Sequence, residues 1–216
     1  MINIVKPYKD DMIIPISVSF FEDIEIDVYG EYYDIAKEYQ KKYSKNPFSP
    51  EALNFLYSNI KPYGYKSYEE DKEYYLVYAM DDISCLNDSD IQATDIYSAS
   101  YVTDETEFEA DVIKEKGEPA SVIVENGRIV SIAAANYFIE EDDDEVELAV
   151  ETLPEYRGKG YAKAVLCDMI KKVFAMGKYP TYRVSCFNKA SVKTVESCGF
   201  RQIGKELYLN FYKEEE

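Results

Sequence analysis

The order of apolar and polar residues along the chain predicts an alternation of helices and strands. Residues 31–43, EYYDIAKEYQKKY, place Tyr32, Ile35, Ala36 and Tyr39 at helical spacing. Residues 49–60, SPEALNFLYSNI, open with Ser then Pro, a pair suited to an N-cap and first turn, and predict a second helix. Residues 73–80, EYYLVYAM, read as a strand. Residues 84–104 are rich in Ser, Asp, Thr and Asn and read as a surface loop, followed by a short acidic helix over 105–116. From residue 120 the pattern becomes regular. Two β-rich runs in 120–139 are joined by Asn126-Gly127, a strong hairpin signal. The acidic run 140–145 predicts a solvated turn, and VELAV (146–150) another strand. Over 160–176, Tyr161, Val165, Leu166, Met169, Ile170 and Val173 share one helical face, with Gly177 placed to cap it. TYRVSCF (181–187) is a strand, and 189–198 a helix stopped by Gly199. Residues 200–212 read as two short strands around Gly204. The C-terminal order is β-β-β-α-β-α-β-β, an α/β (α+β) architecture with a mixed sheet. No internal repeat is present.

Composition narrows the chemistry. With 216 residues, 46% of them hydrophobic, the chain can build one large domain, or one domain and an extension. No apolar run reaches bilayer length, and the N-terminus lacks the layout of a secretory signal. Cys85, Cys167, Cys186 and Cys198 form no CxxC pair, so they are expected reduced, in a cytoplasmic protein. The chain has no histidine, which excludes Ser-His-Asp and Cys-His mechanisms. A general base near neutral pH must then be a carboxylate or a water held by one, and the acid Tyr, Cys, Lys or a raised carboxylic acid. A zinc site would need cysteine and carboxylate ligands only, and no metal is expected.

The formal charge of −18 is unevenly spread. Residues 1–151 carry −23 and residues 152–216 carry +5. One reading is an acidic surface that maintains solubility. The other is a chain whose C-terminal part binds an anion while the rest attracts a cation. The overall charge argues against a nucleic-acid partner.

Residues 152–165, TLPEYRGKGYAKAV, carry two glycines and two cations at the start of the 160–176 helix. An unliganded helix start favours Asp or Glu; Arg157 and Lys159 instead suit an anion held on free backbone amides. The turn is neither a Walker loop nor GxGxxG. Arg157-Gly158-Lys159-Gly160-Tyr161-Ala162 fits R-x-x-G-x-G/A, the acyl-CoA-binding signature of the GCN5-related N-acetyltransferase (GNAT) superfamily. FNKASVKTVESCGF, with Asn188, Ser191, Glu196, Gly199 and Phe200, is similar to a second segment of that family. The resemblance covers roughly residues 118–212.

The resemblance implies a central, mostly antiparallel sheet with a splayed strand pair, flanked by helices. Residues 118–216 would form the GNAT core. Residues 1–117 would supply the start of the fold and the substrate side. The pyrophosphate of acetyl-CoA would rest on Arg157, Gly158, Lys159, Gly160, Tyr161 and Ala162. The pantetheine arm would pair with Val150, Glu151 and Thr152, with Asn188 also on the cofactor side. Asn188 also suits an N-cap, and both roles can hold together. Ser191 reads as helix-stabilising. The reaction implied is direct attack by a primary amine of a small acceptor on the acetyl thioester. Strand alternation sets Glu147, Ala149 and Glu151 on one face, making Glu151 the first candidate base and Glu147 the second. The family often has a tyrosine acid before the helix glutamate; Val195 stands there, which leaves the acid unassigned or not needed, with Tyr208 and Cys198 as candidate substitutes. The acidic N-terminal half points to a cationic acceptor. An alternative is a non-catalytic acyl-CoA-binding or regulatory module on the same fold, and a third reading is a scaffolding protein that binds a partner through its tyrosine-rich half. No membrane partner is expected, and the protein is expected as a monomer or homodimer.

Overall fold

The computed structural model describes residues 1–7, 11–67 and 73–213. In chain order its elements begin β1 (Ile2–Val5), β2 (Met12–Ile13), β3 (Ile16–Phe20), β4 (Ile24–Tyr29), α1 (Tyr33–Tyr43), α2 (Pro50–Asn59), β5 (Tyr65–Lys66) and β6 (Tyr75–Ala79). They continue with β7 (Thr94–Asp95), β8 (Thr103–Asp104), α3 (Ala110–Lys116), β9 (Ala120–Glu125), β10 (Arg128–Ala135) and β11 (Glu145–Thr152). Last come α4 (Tyr161–Ala175), β12 (Tyr179–Ser185), α5 (Lys189–Ser197), β13 (Arg201–Tyr208) and β14 (Phe211–Lys213). The chain divides into two compact units. The first comprises Met1–Val77, Ser185–Phe187 and Ile203–Glu216; the second, Tyr78–Val184 and Asn188–Gln202.

In the first unit β4 lies between β1, parallel to it, and β3, antiparallel; β3 in turn pairs antiparallel with β13 from Lys205↔Phe20 to Tyr208↔Ser17. Alternate residues Ile16, Val18, Ile24, Ile26 and Val28 are buried with Ala36 and Tyr39 of α1 and Ala52, Leu53 and Leu56 of α2. The period of two in the strands and of 3.6 in the helices points both apolar faces at one core. The Ser49 hydroxyl accepts from the Ala52 amide at 3.2 Å, and Pro50 follows it, the start that the sequence predicts for α2. A small sheet of β2, β14 and β5 completes this unit.

Gly204 corrects the sequence reading. β13 runs unbroken through it, and the chain turns only after Tyr208. A Cβ at Gly204 would meet the Phe21 ring at 2.4 Å and the Phe20 carbonyl oxygen at 3.0 Å. This glycine therefore serves close approach within a strand, not a turn.

In the second unit the strand order is β12-β11-β10-β9-β7, with β8 pairing parallel to β10. The predicted hairpin is β9–β10, where Asn126 and Gly127 both take positive φ, 53° and 76°. The segment 84–104 is irregular, as expected, apart from the end of a 3-10 turn (Ile83–Cys85) and the two-residue β7 and β8, and the helix predicted over 105–116 is confined to α3. α4 packs across β9, β10 and β11, burying Val165, Leu166, Met169, Ile170 and Val173. β11 and β12 are parallel, but their pairing ends at Glu147↔Thr181, while β11 continues to Thr152. The sheet is mixed and mostly antiparallel, and it opens between these two strands.

Candidate active site

The open edge of β11 can be assigned from its hydrogen bonds. The Asn136 amide donates to the Glu147 carbonyl (2.8 Å), and the Leu153 amide to the Val130 carbonyl (3.0 Å). Hydrogen-bonded pairs alternate in an antiparallel ladder, so Glu147, Ala149 and Glu151 bond into β10. The backbone N–H and C=O groups of Val150 and Thr152 therefore face the open side, beyond the last residue paired with β12. A cleft of about 520 Å³ lies there.

Nine sequence-predicted cofactor residues line this cleft: Val150, Glu151, Thr152, Arg157, Gly158, Gly160, Tyr161, Ala162 and Asn188. Gly158 and Gly160 adopt φ of 77° and 84°, a region that is costly for side-chain-bearing residues. They turn the chain into α4 without a side-chain cap. Among the described backbone hydrogen bonds, the amides of residues 158–163 find no acceptor; the first in the turn to do so is Ala164, to Gly160 (3.1 Å). Free amides at a helix N-terminus, with glycines that let an oxygen approach, suit a diphosphate.

The side chains add charge selectively. Arg157, Lys163 and Lys193 line the cleft, and Glu151 is its one carboxylate among the described residues. The Arg157 Nε donates to the Thr152 carbonyl at 3.0 Å, tying the turn back to the end of β11. Lys159 lies outside the lining; its ammonium stands 4.5 Å from the Tyr156 ring centre and 5.7 Å from that of Tyr161. The Tyr161 phenol donates to Glu125, which raises its pKa. The Asn188 side chain caps α5 by accepting from the Ser191 amide at 3.1 Å, while Asn188 itself lines the cleft. The Ser191 hydroxyl shares a 2.9 Å hydrogen bond with Tyr182, in keeping with a structural role.

A second cleft, of about 800 Å³, meets the first at Val150 and Glu151. Glu107, Glu118, Glu140 and Glu151 line it together with the rings of Phe108, Tyr137 and Phe138. Among the described residues none that lines it is cationic. The Glu151 carboxylate accepts from the Glu107 amide at 2.8 Å.

The other catalytic candidates are placed differently. Glu147 lines neither cleft. It accepts from Arg183 at 2.6 Å and from the Asn136 amide group at 2.8 Å, and its side chain is only 18% exposed. Tyr208 belongs to the first unit, where its phenol donates to Glu206 at 3.1 Å, whereas both clefts lie within the second. Cys198 is buried 3.7 Å from the Cys167 sulfur; that thiol and burial push its pKa up. Glu196, in the second motif, accepts from the Tyr78 phenol at 3.0 Å; burial and this hydrogen bond raise Tyr78 to about 12. Gly199 is required by packing: at φ 101° a Cβ would meet the Cys85 carbonyl oxygen at 2.0 Å.

Sequence reasoning missed Lys163, Lys193 and most of the second cleft. Lys163 was legible as a third cation in the first turn of α4. The adjacent Tyr137 and Phe138, 69% and 58% exposed, gave no signal because their apolar character read as strand. Among the described residues no cluster of metal-ligating side chains occurs, and no helix is long and apolar enough to cross a membrane.

Part of the chain is similar to known proteins. Residues 117–207 match the model of the GNAT acetyltransferase family. A structure from Novosphingobium aromaticivorans DSM 12444, assigned to the GNAT acetyltransferases, shares the fold at TM-score 0.53 and 18% identity, covering 72% of this chain and 70% of that one. A GNAT acetyltransferase from Colwellia psychrerythraea aligns at TM-score 0.49 and 14% identity, over 77% of this chain and 62% of its own. A protein from Salmonella typhimurium, solved with its cofactor acetyl-CoA, aligns at TM-score 0.38 and 19% identity, over 56% of this chain and 83% of its own. No curated protein matches the sequence. Residues 117–207 thus carry the likeness to the GNAT acetyltransferases, whose fold the chain shares.

Proposed function

We propose that the protein transfers an acetyl group from acetyl-CoA to the primary amine of a small cationic acceptor. The observation that carries this reading is Glu151, whose residue lines both clefts. The residues of the first cleft fit coenzyme A. The amides of 158–163 and the side chains of Arg157, Lys163 and Lys193 would hold its phosphates, and the open edge at Val150 and Thr152 would pair with its pantetheine amides. When bound, acetyl-CoA supplies an acetyl group activated as a thioester.

The protein's own groups supply the rest. An ammonium is not a nucleophile, so the acceptor must lose a proton before it attacks. The Glu151 carboxylate, between the two clefts and oriented by the Glu107 amide, would receive that proton directly or through a water. Glu147, ion-paired to Arg183, would position β11 rather than touch the acceptor. The carboxylates and ring faces of the second cleft favour a cation and disfavour an anionic acceptor. The leaving thiolate can take its proton from solvent; Tyr208 and Cys198 remain candidates for that role by sequence alone.

The test is acetyl-CoA turnover, read as thiol release across amines, amino acids and anionic controls. Release with cationic amines and not with anions supports the proposal. Tight CoA binding without thiol release for any amine would contradict it and favour a binding module.

A further inference from the structure

The Glu107 amide that donates to the Glu151 carboxylate belongs to the loop 105–109, between β8 and α3. A glutamate side chain has several rotatable bonds, so one hydrogen bond orients it only if the donor is itself fixed. Asp104 fixes this donor from both sides. Its Oδ1 accepts from the Thr106 amide at 2.9 Å and from the Thr106 hydroxyl at 2.7 Å. Its Oδ2 accepts from the Ala110 amide at 2.8 Å. Glu107 lies in the chain between the two residues so held.

The loop does not take this shape by default. Glu109 adopts φ 49° and ψ 69°, a left-handed conformation that a non-glycine residue keeps only where its surroundings impose it. The Glu109 side chain gives α3 no cap; the first helical amide, that of Ala110, is instead capped by Asp104 from six residues back. Thr106 is buried and Phe108 packs against the cluster that holds Ala110, Ile129 and Ile132, while Glu107 between them is exposed. Asp104 has a firm base of its own, since β8 pairs it with Ile129 of β10. The same strand pairs Ile132 with Glu151, so both carboxylates are placed by one strand.

We propose that Asp104 is a positioning residue for acetyl transfer: by bonding Thr106 and Ala110 it holds the Glu107 amide on the Glu151 carboxylate. This rests on the reading of Glu151 as the base and adds the residue that orients it. Asp104 lines neither cleft, so it reaches the reaction only through the loop.

The experiment reads the Glu107 amide proton by NMR in isotope-labelled protein, because an amide bonded to a carboxylate resonates downfield of one exposed to water. Glu151→Ala removes the acceptor and defines the shift of the unbonded amide. Asp104→Ala should move the resonance most of the way to that value. Asp104→Asn, which keeps one acceptor oxygen, should move it part of the way, and it decides the matter if circular dichroism shows Asp104→Ala unfolded. With acetyl-CoA and n-butylamine, Asp104→Ala should lower kcat roughly 10–100-fold while CoA affinity stays within a few-fold. In a Glu151→Ala background the same substitution should lower kcat no further, whereas a general loss of structure would add to the defect. An unmoved Glu107 resonance in both Asp104 variants overturns the inference, as do additive losses in the double variant. A moved resonance with wild-type kcat in Asp104→Ala, while Glu151→Ala is impaired, also overturns it. A resonance that moves as expected while Glu151→Ala keeps wild-type kcat, or while even the wild type releases no thiol, supports the positioning and fails the acetyl-transfer reading.

Discussion

Gly158 and Glu147 show how single residues divide between binding and architecture. Nothing stands within 4 Å of a Cβ at Gly158, so Gly158→Ala would be strained by its φ of 77° alone. The cost should be about 1–2 kcal/mol, taken from stability or from the cradle geometry. CoA affinity should fall about tenfold with little change in melting temperature if the turn relaxes toward negative φ, and calorimetry with thermal denaturation would separate the two. Glu147→Gln should do the reverse. It removes the carboxylate paired with Arg183, so it should lower stability by roughly 1–3 kcal/mol while kcat stays within a few-fold of wild type. A loss of kcat comparable to that of Glu151→Gln would return Glu147 to the role of base. The sequence placed both glutamates on one strand face, as observed, but could not choose between them. The choice depends on Arg183, 36 residues away in sequence and brought alongside only by folding.

β11 is the element on which the site depends, and its two edges make distinct predictions. The Val150 N–H faces the open side, whereas the Ala149 N–H bonds into β10. Val150→Pro removes a donor that no strand uses, so the fold should persist while CoA affinity drops about tenfold or more. Ala149→Pro removes a ladder bond between paired strands and should cost about 3 kcal/mol or more in stability. Equal effects of the two on stability would show that β11 is not open at Val150. The periodic elements were legible in the sequence: the Asn126-Gly127 hairpin, α4 with its glycine turn, α5 with its Asn188 cap. Each of these is fixed by residues close in sequence. The break expected at Gly204 was misread because a lone glycine carries the same letter whether it turns a chain or admits Phe21. The short strands β1 to β4 gave weaker signals, since their pairing is set by partners distant along the chain.

At the scale of the molecule, charge and tyrosine content set the response to conditions. The imbalance between an acidic first 151 residues and a basic remainder, legible as −23 against +5, coincides locally with two adjoining clefts of opposite character. The second cleft was not legible, because it gathers residues from α3, β10, β11 and the loops beside them. Burial, first, and hydrogen bonding to Glu196 raise Tyr78 from 10.0 to about 12. The folded state thus keeps a proton that the unfolded state loses. The stabilisation is complete below pH 10 and is lost as pH rises from 10 through about 12. Alkaline denaturation followed by circular dichroism should therefore steepen in that window, and Tyr78→Phe should flatten it. The proposed reaction turns on one carboxylate, Glu151, whose residue lines both clefts. It is tested by acetyl transfer to a small cationic amine by wild type and Glu151→Gln, with CoA affinity measured on the same samples. In Glu151→Gln, kcat should fall roughly 10²–10⁴-fold with CoA affinity unchanged within a few-fold. Retention of wild-type kcat by Glu151→Gln would contradict it.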